Sequence, residues 1–237
     1  MFSGGTDSEM VLRSLKHVGA TPNVFFIKFK DGYNQRDYIE ASKIIDDIGW
    51  NLNILDFDVM DFYKSGEAFE FSQIIQCRQI AYLVIFKNIL KLNSPTIMGG
   101  ELVFGRTPTV DGSKWYYSYR ENEDGAAIRF SHKYNIPLVY EYFSYTPELI
   151  AYYMDHPKVK WLFNERYNYK FNSSSTKNEV LREFMPEIVC SLKLTGYEQL
   201  MGFNQETYLR LYQGDMVKYE PSLDGIYLDE FTTRLYD

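Results

Sequence analysis

A short glycine-containing loop near the start of the chain limits what the rest of it can fold into. The loop reads SGGTDS and consists of Ser3, Gly4, Gly5, Thr6, Asp7 and Ser8. Apolar residues then recur at helical spacing, at Val11, Leu15 and Val18, which predicts an amphipathic helix directly after the loop. Glycines let backbone N–H groups converge on an anion, and a helix N-terminus adds its own N–H groups and the positive end of its dipole. The stretch therefore predicts a phosphate-binding loop.

The polar side chains of the loop extend this prediction. Ser3, Thr6 and Ser8 carry hydroxyl groups that can donate to phosphate oxygens. Asp7 repels a bare phosphate, so its presence indicates a bridging cation such as Mg²⁺. The alternative is a Gly-Gly turn in which Asp7 or Ser8 caps an ordinary helix.

The loop resembles the pyrophosphate loop, SGGxDS, of the N-type ATP pyrophosphatases (the PP-loop superfamily), which include asparagine synthetases, GMP synthetase, tRNA-thiolating enzymes and sulfonucleotide reductases. The resemblance implies ATP as the nucleotide, Mg²⁺ as its cofactor and a fold like that of the adenine nucleotide alpha hydrolases. In that superfamily a buried strand precedes the loop, whereas only Met1 and Phe2 precede it in this sequence. We therefore expect a strand before Met1, or a strand borrowed from elsewhere, because an empty central slot would expose two strand edges.

A second motif, IMGGELVFGR, contains Gly99, Gly100 and Glu101. It resembles the asparagine-synthetase signature, a strand followed by G-x-G-x-D-E-x-F-x-G. Glu101 falls at the Glu of the acidic pair, while Gly100 stands where that family has an Asp that helps to hold Mg²⁺. The resemblance implies that Asp7 and Glu101 bind the metal and that Gly99 and Gly100 line the nucleotide site. The alternative is a strand-end turn with a solvated carboxylate.

A third motif, residues 177–198, resembles the C-terminal helix segment of asparagine and β-lactam synthetases. Lys193 matches the lysine that reaches the ATP phosphates in those enzymes, and Lys177 and Arg182 match basic positions upstream. The resemblance implies catalytic roles for Lys193 and Lys177, because displacement of pyrophosphate leaves negative oxygens that cations must neutralise. A lysine taken alone is more often a solvated surface residue.

Strands and helices alternate over the first hundred residues. The patterns predict strand Asn23–Phe29, helix Asn34–Ile48, strand Leu52–Phe57, helix Ser72–Leu92 and strand Thr96–Met98. This order predicts an α/β fold with a parallel sheet and flanking helices, and ligands bind such sheets at the carboxyl ends of the strands. The loop, residues 28–31 and residues 99–101 should therefore share one edge. The resemblance adds that backbone groups of Ile27, Lys28 and Phe29 meet adenine.

The remainder of the chain predicts further elements on the same domain. Residues 103–130 are rich in turn signals around an aromatic run and predict a hairpin or flap insertion. We predict a strand over Ile136–Phe143, a helix that starts at Pro147 and a capping box from Thr176 to Glu179. We assign residues 1–157 to the ATP-binding domain, and residues 158–237 to a helical part packed on it.

Composition excludes several classes of protein. The net charge of −7 gives no general attraction to nucleic acid. Two cysteines far apart in sequence argue against a disulfide framework and against a cysteine zinc site. No apolar run approaches the roughly 18 residues of a membrane span, so we expect no membrane contact. The expected absence of disulfides fits a cytoplasmic protein.

These features together predict an ATP-dependent adenylating ligase similar to asparagine synthetases but without their glutaminase domain. A carboxylate or similar oxygen would attack ATP, and an amine would then displace AMP. The amine donor is expected to be a separate glutaminase or another amine source, and an oligomer is compatible with the sequence. The alternatives are a PP-loop enzyme that modifies a nucleotide or tRNA, and a nucleotide-binding module without catalysis.

Overall fold

The computed structural model describes residues 1–77, 80–99, 104–108, 115–119, 126–139, 147–159, 174–190 and 232–233. The helices are α1 (Thr6–His17), α2 (Gln35–Ile48), α3 (Val59–Lys64), α4 (Glu67–Ile75), α5 (Ile80–Leu92), α6 (Ala126–Tyr134), α7 (Pro147–Asp155) and α8 (Ser174–Phe184). The strands are β1 (Val24–Phe29), β2 (Leu52–Phe57), β3 (Thr96–Ile97), β4 (Phe104–Pro108), β5 (Trp115–Tyr119), β6 (Leu138–Val139) and β7 (Thr232–Thr233).

Two parallel strand pairs form the centre of the fold. β1 pairs with β2 in parallel, and β3 pairs with β6 in parallel. The first two residues lie between these pairs, because the amino group of Met1 donates to the Ile97 carbonyl at 2.8 Å and the Phe2 N–H donates to the Phe25 carbonyl at 2.8 Å. Helices flank the strands, and the predicted α/β class with parallel strands is confirmed.

The strands bury side chains on both faces. Phe26 belongs to a core cluster with residues of α1, α2, α7 and α8, whereas Phe29 belongs to a second cluster with residues of α3 to α6. This division follows from the alternation of side chains along a strand. The first helix was predicted to include Val18, but α1 ends one residue earlier at His17, and Val18 is 77% exposed.

The single helix predicted over residues 72–92 is two helices in the structure. α4 ends at Ile75, and Gln76 then adopts a left-handed conformation with φ 50°. The guanidinium of Arg129 donates to the carbonyl of Ile75 at 3.1 Å and to that of Gln76 at 2.8 Å. This distant side chain satisfies carbonyl groups that the end of a helix leaves without intrahelical partners.

Three other predicted elements differ from the structure, or can be compared with it only in part. β4 and β5 form an antiparallel pair within the predicted hairpin or flap insertion, residues 103–130. α6 begins at Ala126, inside those predicted bounds. The capping box is wrong, because α8 begins at Ser174 and Thr176 lies inside it. The predicted strand after Ile136 is described only as Leu138–Val139, and its last four residues lie outside the described residues.

None of the helices in the described part of the chain combines the length and the apolar composition that a membrane crossing requires.

Candidate functional site

The glycine loop is packed so closely that its first glycine is needed for steric reasons. Gly4 has φ +74°, a conformation that L side chains rarely adopt. A Cβ at Gly4 would lie 3.0 Å from the Asp37 carbonyl oxygen and 3.2 Å from the Ala41 nitrogen, both in the backbone of α2. The loop therefore takes its shape from contact with α2, and glycine is the residue that permits this contact.

The loop leads into the N-terminus of α1, which presents backbone donors. Gly5 is the N-cap in an extended conformation, and within the described residues no side chain caps this end. The first intrahelical bond runs from the Glu9 N–H to the Gly5 carbonyl at 2.9 Å. The N–H groups of Thr6, Asp7 and Ser8 precede that bond and have no acceptor inside the helix. This arrangement favours an anion in front of α1.

Two of the loop hydroxyls donate within the protein. The Ser8 hydroxyl donates to the Gly5 carbonyl at 2.9 Å and lies 3.0 Å from the Ser3 hydroxyl. The Thr6 hydroxyl donates to Oδ1 of Asn178 at 2.6 Å. Ser3 is exposed, whereas Thr6 and Ser8 are buried. The loop thus offers an anion its backbone N–H groups more than its hydroxyls.

The second motif meets the loop at the end of β3, as the topology predicts. A Cβ at Gly99 would lie 3.3 Å from both the nitrogen and the Cα of Ser8. Gly99 therefore lets the chain after β3 pass directly against the first turn of α1. Gly100 and Glu101 lie outside the described residues, so the ligand roles predicted for them remain predictions.

The third motif also reaches the loop. Asn178 of α8 accepts the hydrogen bond from Thr6, and the Cys190 thiol donates to the Gly4 carbonyl at 3.3 Å. Lys177 precedes Asn178 in α8, but its side chain and all of Lys193 lie outside the described residues. The fold thus brings two distant parts of the chain to the loop: Asn178 lies 172 positions after Thr6, and Cys190 lies 186 positions after Gly4.

A buried tyrosine lies close to the carboxylate of the loop. Tyr153 of α7 is 3% exposed. Burial, and after it the negative charge of Asp7, raise the pKa of Tyr153 well above its ordinary value. The phenol therefore remains a neutral hydroxyl beside Asp7 at physiological pH. Among the described residues, no group of three or more acidic, histidine or cysteine side chains is arranged to hold a metal ion.

Two of the backbone groups predicted to meet adenine, those of Ile27 and Phe29, already bond to the side chain of Asn34. The Asn34 amide donates to the Ile27 carbonyl at 2.8 Å and accepts from the Phe29 N–H at 2.8 Å. The ammonium of Lys28 lies 4.7 Å from the centre of the Tyr38 ring. A carboxamide offers one donor side and one acceptor side, and the base edge of adenine offers the same pair. Adenine at this strand end must therefore displace Asn34 or use other groups.

A cavity of about 320 Å³ lies beside Met1 and extends from α1 towards the amino ends of β1 and β3. Its lining is mostly apolar, with residues such as Val11, Leu15 and Pro95, and it borders the loop at Ser8 and Gly99. Among the described residues, no charged side chain lines it. Phosphate needs N–H donors or cations, so we place the candidate phosphate site at the loop instead of in this cavity.

Sequence patterns missed several residues that shape the site, namely Glu9, Asn34, Tyr153 and Asn178. Glu9 and Arg13 stand four residues apart on the predicted helix, which is the spacing of a helical ion pair. That spacing was the available signal for Glu9. The contacts of Asn34, Tyr153 and Asn178 depend on tertiary packing and leave no local pattern.

Comparisons with known proteins add little to this geometry. No protein-family model matches the chain, and no curated protein matches it. The solved structure of a predicted subunit of tRNA methyltransferase from Methanocaldococcus jannaschii is similar over 78% of this chain and 86% of that chain, with 14% identity and a TM-score of 0.38. A similarity of that size supports no inference about activity.

Proposed function

We propose that the loop Gly4–Ser8 binds the β- and γ-phosphates of ATP and that the protein transfers AMP from ATP to an oxygen of an acceptor. The observation that supports this most is the loop itself, a glycine held at φ +74° ahead of a helix N-terminus that no described side chain caps. Gly99 lies against Ser8 at one end of the loop, and Cys190 contacts the Gly4 carbonyl at the other end. Three motifs from distant parts of the chain thus meet at one place that suits an anion.

The proposed reaction is an attack on the α-phosphorus of ATP bound at the loop. An acceptor oxygen attacks the α-phosphorus, a new P–O bond forms, and the bond from the α-phosphorus to the bridging oxygen of pyrophosphate breaks. The products are an adenylated acceptor and pyrophosphate, whose negative charge increases as it leaves. Backbone N–H groups of the loop stabilise that charge without reorganisation, because the helix fixes them in advance. With a carboxylate acceptor, an amine then displaces AMP and forms an amide.

Lys193 is proposed as the cation that neutralises the leaving pyrophosphate, with Lys177 as a second one. Cys190 contacts the loop carbonyl of Gly4, and Lys193 follows Cys190 three positions later in the sequence. Three residues of chain span at most about 11 Å, and a lysine side chain extends the reach of its charge further. The contact at Cys190 supports the role proposed for Lys193, because it brings the chain to the loop only three positions before that lysine.

Mg²⁺ is proposed to bind between Asp7 and the phosphates, with Glu101 as a further ligand. Oδ1 of Asp7 is buried, and carboxylate and phosphate oxygens are the donors that Mg²⁺ prefers. The ion supplies positive charge that offsets the phosphate oxygens when it is bound. Asp7, in the first turn of α1, would hold the ion there.

Replacement of Asp7 by asparagine tests the metal role. Asp7→Asn keeps the size and polarity of the side chain, so we expect the fold to persist while ATP binding loses its dependence on Mg²⁺. Calorimetric titration with ATP, with and without Mg²⁺, measures this dependence. Asp46→Asn on α2 is a matched control and should behave like the parent. An unchanged Mg²⁺ dependence in Asp7→Asn would exclude Asp7 as a ligand.

The acceptor distinguishes the candidate functions. The net charge of −7 favours a small acceptor over RNA, because like charges repel a polyanion. The experiment is ATP–pyrophosphate exchange with a panel of carboxylic acids, and with tRNA in a parallel reaction. Exchange with a carboxylic acid supports a ligase, and exchange with tRNA supports an RNA-modifying enzyme. Binding of ATP without exchange under any condition supports a non-catalytic nucleotide-binding module.

A further inference from the structure

A buried carboxylate on α1 holds the short segment formed by residues 188–190, here called the 188–190 segment. Glu9 is 0% exposed. Its Oε1 accepts from the Val189 N–H at 2.8 Å, and its Oε2 accepts from the Cys190 N–H at 2.7 Å. Hydrogen bonds to a charged acceptor are stronger than neutral ones, and burial excludes water that would replace them. The helix that begins at the loop is thus joined to a segment 180 positions away.

Arg13 supplies the charge that this buried carboxylate requires. Its Nε donates to Oε1 of Glu9 at 2.8 Å, and a terminal nitrogen donates to Asp47 of α2 at 2.7 Å. Arg13 is itself 5% exposed. Buried charges persist when they are paired and hydrogen-bonded. Arg13 therefore fixes the side chain of Glu9 and connects it to the same helix that contacts Gly4.

Two further bonds fix Cys190. The guanidinium of Arg182 donates to the Cys190 carbonyl, and the Cys190 thiol donates to the Gly4 carbonyl at 3.3 Å. With the bond to Glu9, the N–H, the carbonyl and the side chain of Cys190 all have partners. The position from which the chain continues towards Lys193 is therefore set by α1, α8 and the loop together.

We infer that Glu9 is a positioning residue that acts through the 188–190 segment and sets where the charge of Lys193 lies relative to the loop. This inference rests on the proposed function, which gives Lys193 its task. Glu9 lies in the first turns of α1, whose N-terminus is at the proposed phosphate site. Both of its carboxylate oxygens accept hydrogen bonds from the backbone of the segment that precedes Lys193 in the sequence. A displacement of about 1 Å at a reacting centre costs roughly a hundredfold in rate, so such an anchor matters for catalysis.

Two variants release the segment from opposite sides. Glu9→Gln keeps the shape of the side chain but replaces one acceptor oxygen by an NH₂ group, which cannot accept from an N–H. Val189→Pro removes the N–H of Val189 and leaves the buried Glu9–Arg13 pair intact. Val189 is 49% exposed, so Val189→Ala is a matched control that retains the N–H. If Glu9→Gln does not fold, Val189→Pro still tests the anchor.

The rate at which each cysteine of the folded protein is labelled by a thiol reagent shows whether the 188–190 segment is held in place, and the measurement needs no ATP. Mass spectrometry of the peptides identifies which cysteine is labelled. Cys190 and Cys77 are both buried and belong to different core clusters, so Cys77 is an internal control. Loss of one charge-assisted hydrogen bond should raise labelling of Cys190 roughly tenfold to a hundredfold in Val189→Pro, with Cys77 and Val189→Ala unchanged. Equal acceleration at both thiols, or none, would overturn the inference.

Kinetics test the link to Lys193. We expect kcat for pyrophosphate exchange to fall about tenfold in Val189→Pro, with the KM for ATP changed less than threefold, because the loop that binds ATP is intact. In a Lys193→Ala background the Val189→Pro substitution should have no further effect, since residues that act through one another are not additive. Additive losses would show that the segment does not act through Lys193. Absence of exchange in the parent would refute the proposed function, while labelling would still decide whether the 188–190 segment is anchored.

Discussion

Substitution of Gly4 by alanine is expected to destabilise the fold by about 2–5 kcal/mol. A left-handed conformation costs a residue with a Cβ about 1–2 kcal/mol, and forcing extra atoms into a packed site costs about 1–3 kcal/mol more. Both costs apply at this position, because Gly4 has φ +74° and the Cβ of an alanine there would lie 3.0 Å from the Asp37 carbonyl oxygen. Urea unfolding followed by circular dichroism measures the change.

Gly19→Ala provides the matched control for this prediction. Gly19 lies just after the other end of α1 with φ +73°, and a Cβ there would meet nothing within 4 Å. Alanine at Gly19 therefore has the cost of the left-handed backbone but not the cost of a steric clash. We expect the free energy of unfolding to fall by about 1–2 kcal/mol. Equal losses at Gly4 and Gly19 would show that the contact between the loop and α2 contributes nothing.

Replacement of Lys193 by alanine is expected to reduce adenylation by about 10²–10³, the usual loss for one group that stabilises transition-state charge. ATP affinity should fall much less, because only part of that interaction exists before the reaction. Lys193→Arg should also be slow, since a planar guanidinium does not replace a compact ammonium at a confined site. Single-turnover rates and equilibrium titration with ATP separate the two effects.

Lys43 offers a control for the lysine substitution. It lies on α2 with its side chain 64% exposed and pairs with Glu40 at 2.8 Å. Surface pairs of this kind contribute little, so Lys43→Ala should exchange pyrophosphate at the parent rate. If Lys193→Ala does the same, the resemblance of residues 177–198 to the synthetase segment is without functional meaning.

Elements whose ends are set by local chemistry were predictable from the sequence. β2 was predicted at Leu52–Phe57 and lies there, and α2 was predicted to within one residue at its start. The stop after Ile48 follows from Gly49, which adopts φ 83° and donates its N–H to carbonyls of the last turn. Such signals need only neighbouring residues.

Elements that end because of a distant partner were not predictable. The break after α4 depends on Arg129, which is 53 and 54 positions from the carbonyls that it contacts. The run from Ser72 to Leu92 contains no proline or glycine, so no local signal marks the interruption.

In the candidate site, too, some contacts could be predicted from the sequence and others could not. The approach of Gly99 to the loop followed from the rule that ligand sites lie at the carboxyl ends of parallel strands. The buried contacts of Glu9 with Val189 and Cys190 did not follow from any pattern, because an acidic residue near a helix start usually reflects the helix dipole alone.

An NMR titration of the ¹⁵N-labelled protein with inorganic pyrophosphate and Mg²⁺ tests most directly whether the loop binds phosphate. We expect saturable shifts in the backbone amides of Gly5, Thr6, Asp7 and Ser8, because these N–H groups are the proposed ligands, and no shift at Gly19 beyond the other end of α1. Shifts confined to other residues, or no saturable change at the loop, would contradict the assignment of Gly4–Ser8 as the pyrophosphate site.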